Sequence, residues 1–211
     1  MKSVETIDAG PIRYNRVGHD HVIGVSLFIV AEIMLFCGLI AAYLVLRGQA
    51  DSWPPAGQPR LPTLMTAFDT VLLLGSGLTM WTIAPAIRAG DLARMQKLLF
   101  CTLGLGVAFL VVQGFEWVSM IHYGMTTGAS LYGSTFYAII GCHGLHVIGG
   151  LAAVAVMTRR VIGEQRRRSA KDPREVTTFV ESQQGPLFGA RLFWLFVVVV
   201  WVPLYLMVYV W

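Results

Sequence analysis

The stretch from Val22 to Leu46, VIGVSLFIVAEIMLFCGLIAAYLVL, decides the fold of this chain. Its one charged side chain is that of Glu32. A helix of about 20 apolar residues crosses the hydrocarbon core of a bilayer, so this stretch is long enough to span a membrane. It is too long for the apolar core of a signal peptide, and we expect it to be retained.

Four more apolar blocks of similar length follow along the chain. They run approximately over Leu64–Ile87, Leu98–Met120, Phe136–Met157 and Leu192–Val210. All the blocks are continuous and do not alternate with polar residues, which excludes a membrane β-barrel. A content of 55% hydrophobic and 13% charged residues, with a mean hydropathy of +0.63, is also atypical of soluble domains. We predict an all-α integral membrane bundle of five transmembrane helices.

Lysine and arginine are distributed unevenly between the two sides that these five crossings create. The side with the N-terminus carries Lys2, Arg13, Arg16, Arg88, Arg94, Lys97, Arg159, Arg160, Arg166, Arg167, Arg168, Lys171, Arg174 and Arg191. The other side carries Arg47 and Arg60. Because cytoplasmic loops are enriched in these residues, we predict a cytoplasmic N-terminus and an external C-terminus. The same asymmetry explains the net charge of +4 without a nucleic-acid partner.

The predicted domain organisation is simple. Residues 1–21 form a cytoplasmic tail, and residues 22–211 form a single transmembrane domain without internal repeats. A long basic segment, 158–186, is expected to be a cytoplasmic loop near anionic headgroups, with room for a short interfacial helix. The segment RAGDLARMQK, 88–97, is expected to be a tight turn that makes the second and third blocks antiparallel.

Small residues are frequent inside the apolar blocks. Glycines that we expect to permit close helix contacts are Gly75, Gly77, Gly104, Gly106, Gly141, Gly144, Gly149 and Gly150. The cysteines Cys37, Cys101 and Cys142 lie on three different blocks without a C-x-x-C spacing. We therefore expect them to act as small apolar packing residues and not as a redox centre.

Three acidic residues, Glu32, Asp69 and Glu116, lie within the blocks, where a charged group is costly. Glu32 is about 15 Å from the nearer end of its helix, at 1.5 Å per residue. It must be protonated, paired across helices or hydrated. Asp69 lies within about two turns of the outer end of the second block, and its side chain is expected to reach toward water.

Two pairs of polar residues are spaced to share a helix face. Gln113 and Glu116 are three residues apart on the third block, and His143 and His146 are three apart on the fourth. Glu116 and His143 have similar predicted depths, so we predict a buried polar seam in which these two side chains make a direct or water-bridged contact. A proton relay and metal ligation are alternative uses of the same residues. Two histidines are too few for a metal site, and His19, His21 and His122 are predicted near the membrane surfaces, so we predict no metal site and no catalytic residue.

Several motifs together resemble the cytochrome c oxidase subunit III family, the third subunit of haem-copper respiratory oxidases. The motifs are AEIMLFCGLIAAY (31–43), WPP (53–55), LLLGSG (72–77), AGDLARMQKLL (89–99), QGFEW (113–117), YGSTFYAIIGCHGLHVIGG (132–150) and VWVPLYLMVYVW (200–211). The resemblance covers nearly the whole chain, in the short bacterial form with five helices. It implies a subunit of the bacterial plasma membrane, packed against the catalytic subunit I. It also implies a phospholipid-binding subunit that supports proton uptake and has no haem or copper of its own, these cofactors being held by partner subunits.

The resemblance also assigns motif positions. Glu32 matches the buried helix acid of the family, Glu116 the acid of a Q-x-x-E motif, and His143 and His146 the H-G-L-H pair. Leu195 and Val198 replace a histidine and an aspartate that are common in the last helix of the family. This departure keeps open an accessory subunit of a nitric oxide reductase, and an independent transporter or proton channel is the alternative from another class. The electron donor, cytochrome c or quinol, is not specified by the sequence.

Overall fold

A computed structural model of the protein describes residues 16–55, 63–128, 130–168 and 174–210. This part of the chain consists of helices joined by short connections, without a β-strand. The elements are α1 (Arg16–Gly48), α2 (Thr63–Trp81), α3 (Ile83–Arg88), α4 (Leu92–His122), α5 (Leu131–Arg168), α6 (Arg174–Tyr205) and a C-terminal π-helical turn (Leu206–Val210).

Five segments of the described chain are long and apolar enough to cross a membrane. They are Val22–Gly48, Thr63–Arg88, Leu92–His122, Leu131–Arg167 and Gly185–Val210. Each contains one of the apolar blocks, and the predicted all-α fold with five transmembrane helices is confirmed. The second segment combines α2 with the short α3.

The connection between α3 and α4 is tight because of its local sequence. Gly90 has φ of 62°, a left-handed conformation that a glycine adopts without strain. The side chain of Asp91 then accepts a hydrogen bond from the backbone N–H of Arg94 at 2.9 Å and caps the N-terminus of α4. The predicted turn is confirmed, and α2 and α4 pack against each other along their lengths.

The basic segment 158–186 is helical in its described parts, which differs from the expected loop. α5 continues to Arg168 and α6 begins at Arg174, so no separate interfacial helix is seen there. Arg160 Nη1 donates a hydrogen bond to Gln183 Oε1 at 2.8 Å and joins the two helical extensions. The apolar blocks predicted the parts that cross hydrocarbon, whereas the helices extend beyond them because Arg, Glu and Gln are good helix formers in water.

The core lies between α2, α4, α5 and α6, whereas α1 packs at its edge. α1 contacts α6 and, over a shorter length, α5. Phe36 and Tyr43 are its buried side chains among the described residues, and most of its other apolar side chains face outward. The Tyr43 hydroxyl donates to the backbone oxygen of Met207 at 3.1 Å, which ties α1 to the C-terminal turn.

Three glycines allow the close helix contacts that the sequence predicts. A Cβ atom at Gly77 would lie 2.8 Å from Val198, at Gly106 2.7 Å from Leu151, and at Gly150 2.7 Å from Trp194. By contrast, a Cβ at Gly104 or Gly149 would meet no atom within 4 Å, so the prediction is wrong at those two positions. The difference arises because Gly106 and Gly150 lie on the inward faces of α4 and α5, whereas Gly104 and Gly149 lie on their outward faces.

Candidate functional site: two groups of buried polar residues

Glu32 and His146 form a direct pair that joins α1 to α5. His146 Nε2 lies 2.8 Å from Glu32 Oε2, and the two side chains are 14% and 15% exposed. Pairing across helices was one of three possibilities for Glu32, and it is the one found in the structure. Among residues 16–55, 63–128, 130–168 and 174–210, this pair is the only ion pair.

The second ring nitrogen of His146 defines how the pair carries its proton. His146 Nδ1 lies 2.7 Å from the backbone oxygen of Cys142, which can only accept a hydrogen bond. Nδ1 must therefore carry a hydrogen. A hydrogen bond between Nε2 and Oε2 then requires one further proton, held either by the carboxyl of Glu32 or by the imidazole. In both forms the pair as a whole is neutral, which suits a site inside a membrane.

His143 does not take part in a polar seam. Its side chain is 1% exposed, and neither ring nitrogen has a hydrogen-bond partner among the described residues. The ring lies 4.9 Å from that of Trp201, at an interplanar angle of 31°, and meets the rings of Phe36 and Phe109 edge-on. His143 thus packs as an aromatic plate in the core.

Glu116 is held by hydroxyl and amide donors and not by histidine. The Thr66 hydroxyl lies 2.9 Å from Glu116 Oε1 and 3.1 Å from Oε2. Gln113 Nε2 donates to Glu116 Oε2 and to the Tyr209 hydroxyl oxygen, each at 3.2 Å. The direct hydrogen bond predicted between Glu116 and His143 is not formed, because α5 turns His143 toward Trp201 of α6.

Asp69 is also placed differently from the prediction. It is 0% exposed, and neither carboxyl oxygen has a hydrogen-bond partner in the described chain. The expected reach toward water does not occur, because Asp69 shares the inward face of α2 with Thr66, Leu73 and Ser76. The sequence signal that indicates this face is the spacing of three and four residues between Thr66, Asp69 and Leu73.

Two tryptophans of α6 make polar contacts with α2 that the sequence analysis missed. Trp194 Nε1 donates to the Ser76 hydroxyl at 3.2 Å, and Trp201 Nε1 donates to the Thr70 hydroxyl at 2.9 Å. The two tryptophans are seven residues apart and lie on one face of α6. The spacing of seven residues predicts that both indole rings point into the bundle, but it does not predict their hydrogen-bond partners.

Leu195 and Val198, which replace polar residues common in the family, are packed against the rest of the bundle. Val198 is 5% exposed and packs on the backbone of α2 at Gly77. Leu195 is half-buried. Both positions are thus occupied as ordinary apolar packing positions of α6.

The cysteines and the remaining histidines do not form a cluster. Cys37 and Cys101 are exposed on the outer surface of the bundle, and Cys142 is half-buried, with its sulfur 3.9 Å from His146 Nδ1. In the part of the chain that the structure describes, no three His, Cys, Asp or Glu residues are grouped so as to hold a metal ion. The side chains of His19 and His21 lie outside the described residues, and His122 is exposed at the end of α4.

An apolar groove of about 450 Å³ opens between α1, α5 and α6. It is lined by Val25, Phe28, Ala153, Met157, Gly189 and Phe193 together with their neighbours. Arg159 and Arg160 lie on α5, two and three residues after the lining residue Met157, and are exposed. The groove wall is therefore apolar, and two cationic residues follow its last lining residue along α5.

Comparison with known proteins gives a consistent family. A family model described as cytochrome c oxidase subunit III matches residues 13–211. The chain is 35% identical over 186 residues to cytochrome c oxidase subunit 3 of Synechocystis sp., covering 88% of this chain and 73% of the relative. It is 33% identical over 189 residues to a probable cytochrome c oxidase subunit 3 of Nocardia farcinica, covering 89% and 86%. A probable subunit 3 of Mycobacterium leprae is 30% identical over 188 residues, covering 89% and 86%.

Proposed function

The chain belongs to the cytochrome c oxidase subunit III family, and we propose that it packs against catalytic subunit I of a terminal oxidase in a bacterial plasma membrane. Members of this family are accessory subunits of haem-copper oxidases, so the chain is a multi-pass membrane subunit of an oxidase complex. The bacterial location is inferred from the bacterial relatives. The basic end of the bundle is proposed to face the cytoplasm.

The observation that carries this proposal is the contact between Glu32 and His146. These residues occupy the buried-acid position and the second histidine of the H-G-L-H motif in the family resemblance, and they lie 2.8 Å apart. The pair is neutral as a unit, and within the described residues no group of three His, Cys, Asp or Glu side chains that could hold a metal ion includes it. An indirect role in proton uptake, through the integrity of α1 against α5, fits this geometry. Haem and copper are proposed to be bound by the partner subunits.

The test of this function is gentle purification of the chain from its native membrane. We expect a haem-containing catalytic subunit to co-purify, and we expect the complex to consume oxygen. If the complex reduces nitric oxide and not oxygen, the chain belongs with a nitric oxide reductase. If the chain purifies alone and conducts or transports a solute in vesicles, the transporter alternative replaces the proposal.

The groove between α1, α5 and α6 is proposed to bind an acyl chain of a phospholipid. Its apolar lining suits an acyl chain, and Arg159 and Arg160 near one end suit an anionic headgroup. Replacing Ala153 by Phe should fill the groove, whereas Ala152→Phe adds the same volume on the exposed face of α5. Native mass spectrometry of the complex should show fewer retained phospholipids for Ala153→Phe than for Ala152→Phe. Equal retention by both variants would remove the groove as the lipid site.

A further inference from the structure

The contact region of α2, α4 and the C-terminal π-helical turn contains more hydrogen-bond acceptors than donors. Three buried oxygens are without a partner in the described chain, namely both carboxyl oxygens of Asp69 and Oε1 of Gln113. Asp69 is 0% exposed and Gln113 is 4% exposed. Buried polar atoms in proteins nearly always have a partner, because leaving one unpaired costs about 1 to 3 kcal/mol. Asp69 is therefore a buried carboxyl that no donor of the described chain reaches.

The donors of the region reach Glu116 and Tyr209, and none of them, including the remaining hydroxyl hydrogen of Tyr209, reaches Asp69. The hydroxyl of Thr66 donates to the Glu116 carboxylate, and Nε2 of Gln113 is shared between Glu116 and the Tyr209 hydroxyl oxygen. Asp69 receives none of these hydrogen bonds. The two acids therefore have unequal surroundings, since Glu116 is solvated as an anion by protein donors and Asp69 is not.

Asp69 and Glu116 lie on the contacting sides of α2 and α4, since Asp69 is one helical turn from Thr66, whose hydroxyl contacts Glu116. Neither acid forms an ion pair within the described residues. The other groups that face them are Gln113 of α4, Tyr209 of the C-terminal turn, and Trp201 of α6, which donates to Thr70. On α5, His143 packs against Trp201 without a hydrogen bond to either acid. Two neighbouring carboxylates without a cation do not both remain ionised in a buried site.

We propose that Asp69 and Glu116 form a buried carboxyl pair that binds one proton at neutral pH, and that Asp69 carries it. Protonation removes the charge of the Asp69 carboxyl, which has no donor, while Glu116 keeps the donors of Thr66 and Gln113. The site is a proton-binding site separate from the Glu32–His146 pair, which lies on the other side of the bundle between α1 and α5.

Infrared spectroscopy of the full chain in lipid nanodiscs tests this site. At a pH of about 8, exposed aspartate and glutamate side chains are ionised, since their ordinary pKa values are near 4. We expect the C=O stretching band of one protonated aspartate carboxyl per chain, separate from any band of the Glu32 carboxyl. Aspartate labelled with ¹³C at the side-chain carboxyl should shift this band, which assigns it without any substitution. Asp69→Asn should abolish it, because the amide supplies its own donor.

Glu32→Gln is the matched control, since it removes the carboxyl of the Glu32–His146 pair and leaves Asp69 and Glu116 in place. A band that disappears in Glu32→Gln and persists in Asp69→Asn would place the proton at the other pair and overturn the proposal. Absence of the band in the wild type, or a band insensitive to labelled aspartate, would do the same. A band present in choline salts and lost in sodium salts would identify a cation site in place of a proton site.

Discussion

Glu32 and Glu116 are both carboxyl groups within membrane-spanning helices, but the bundle holds them in different ways. Glu32 lies on α1 at the edge of the bundle, is 15% exposed at its side chain and has a histidine partner. Glu116 lies in the core of α4, is 4% exposed and is surrounded by hydroxyl and amide donors and a second acid. A peripheral helix is attached by a polar pair together with contacts such as that of Tyr43 with Met207, whereas the core excludes water and depends on many donors and close packing.

The close packing of the core should give the largest effect. Gly106→Val places a side chain where Leu151 and Trp194 would lie 2.7 and 2.8 Å from its Cβ atom. We expect a loss of about 3 kcal/mol in the free energy of unfolding, near the upper part of the usual range for overpacking. Gly104→Val on the same helix meets no atom within 4 Å and should change stability far less. Thermal unfolding of the isolated chain in detergent measures both, and equal losses would show that the core is not closely packed at Gly106.

The attachment of α1 should give the next largest effect. Glu32→Ala leaves His146 Nε2 without its partner and should reduce stability by about 2 kcal/mol, the usual range for a stranded buried polar group. Glu32→Gln should cost less, because its amide can donate to Nε2 while Nδ1 keeps its hydrogen bond to Cys142. In the assembled oxidase, Glu32→Gln should leave the initial turnover largely intact, and Glu32→Ala should shorten the working lifetime.

The control for this pair is assembly, measured as the amount of chain that co-purifies with the catalytic subunit. If Glu32→Gln assembles normally and yet abolishes turnover from the first seconds, the carboxyl itself moves protons in an obligatory path. The role of Glu32 would then be proton transfer and not the attachment of α1. The edge of the bundle would differ from the core in function as well as in packing.

The donors around Glu116 should give a smaller effect. Thr66→Val keeps the shape of the side chain and removes the hydroxyl that lies 2.9 Å from Glu116 Oε1. We expect a loss of about 1.5 kcal/mol, as for a hydrogen bond to a charged group. Thr66→Ser retains the hydroxyl and should lose less, although it removes a methyl group from a buried position. If the serine variant is the less stable one, the methyl group matters more than the hydrogen bond.

The sequence predicted the helices well and the polar partners poorly, for a physical reason. Long apolar blocks fix which segments cross the membrane and approximately how deep each residue lies. Depth predicts comparable levels for Glu116 and His143. Depth does not fix the rotation of a helix about its axis, which turns His143 toward Trp201 and His146 toward Glu32. Asp69 was predicted at the surface because its distance from the helix end was counted, about 9 Å at 1.5 Å per residue, while its neighbours Thr66 and Leu73 indicate an inward face.

Replacing the cysteines should change the free energy of unfolding least. The three positions compare an outward face with the surroundings of the Glu32–His146 pair. Cys37 and Cys101 are exposed on α1 and α4, so replacing either by alanine removes no contact within the core. We expect changes within about 0.5 kcal/mol for both, as for most surface substitutions. Cys142→Ala should cost more, because its half-buried sulfur lies 3.9 Å from His146 Nδ1 and fills space beside the Glu32–His146 pair. Thermal unfolding of the three variants in the same detergent separates these cases. A loss for Cys37→Ala as large as that for Cys142→Ala would mean that the outward face of α1 is a packed surface in the protein, and that the edge of the bundle is held by more than the pair.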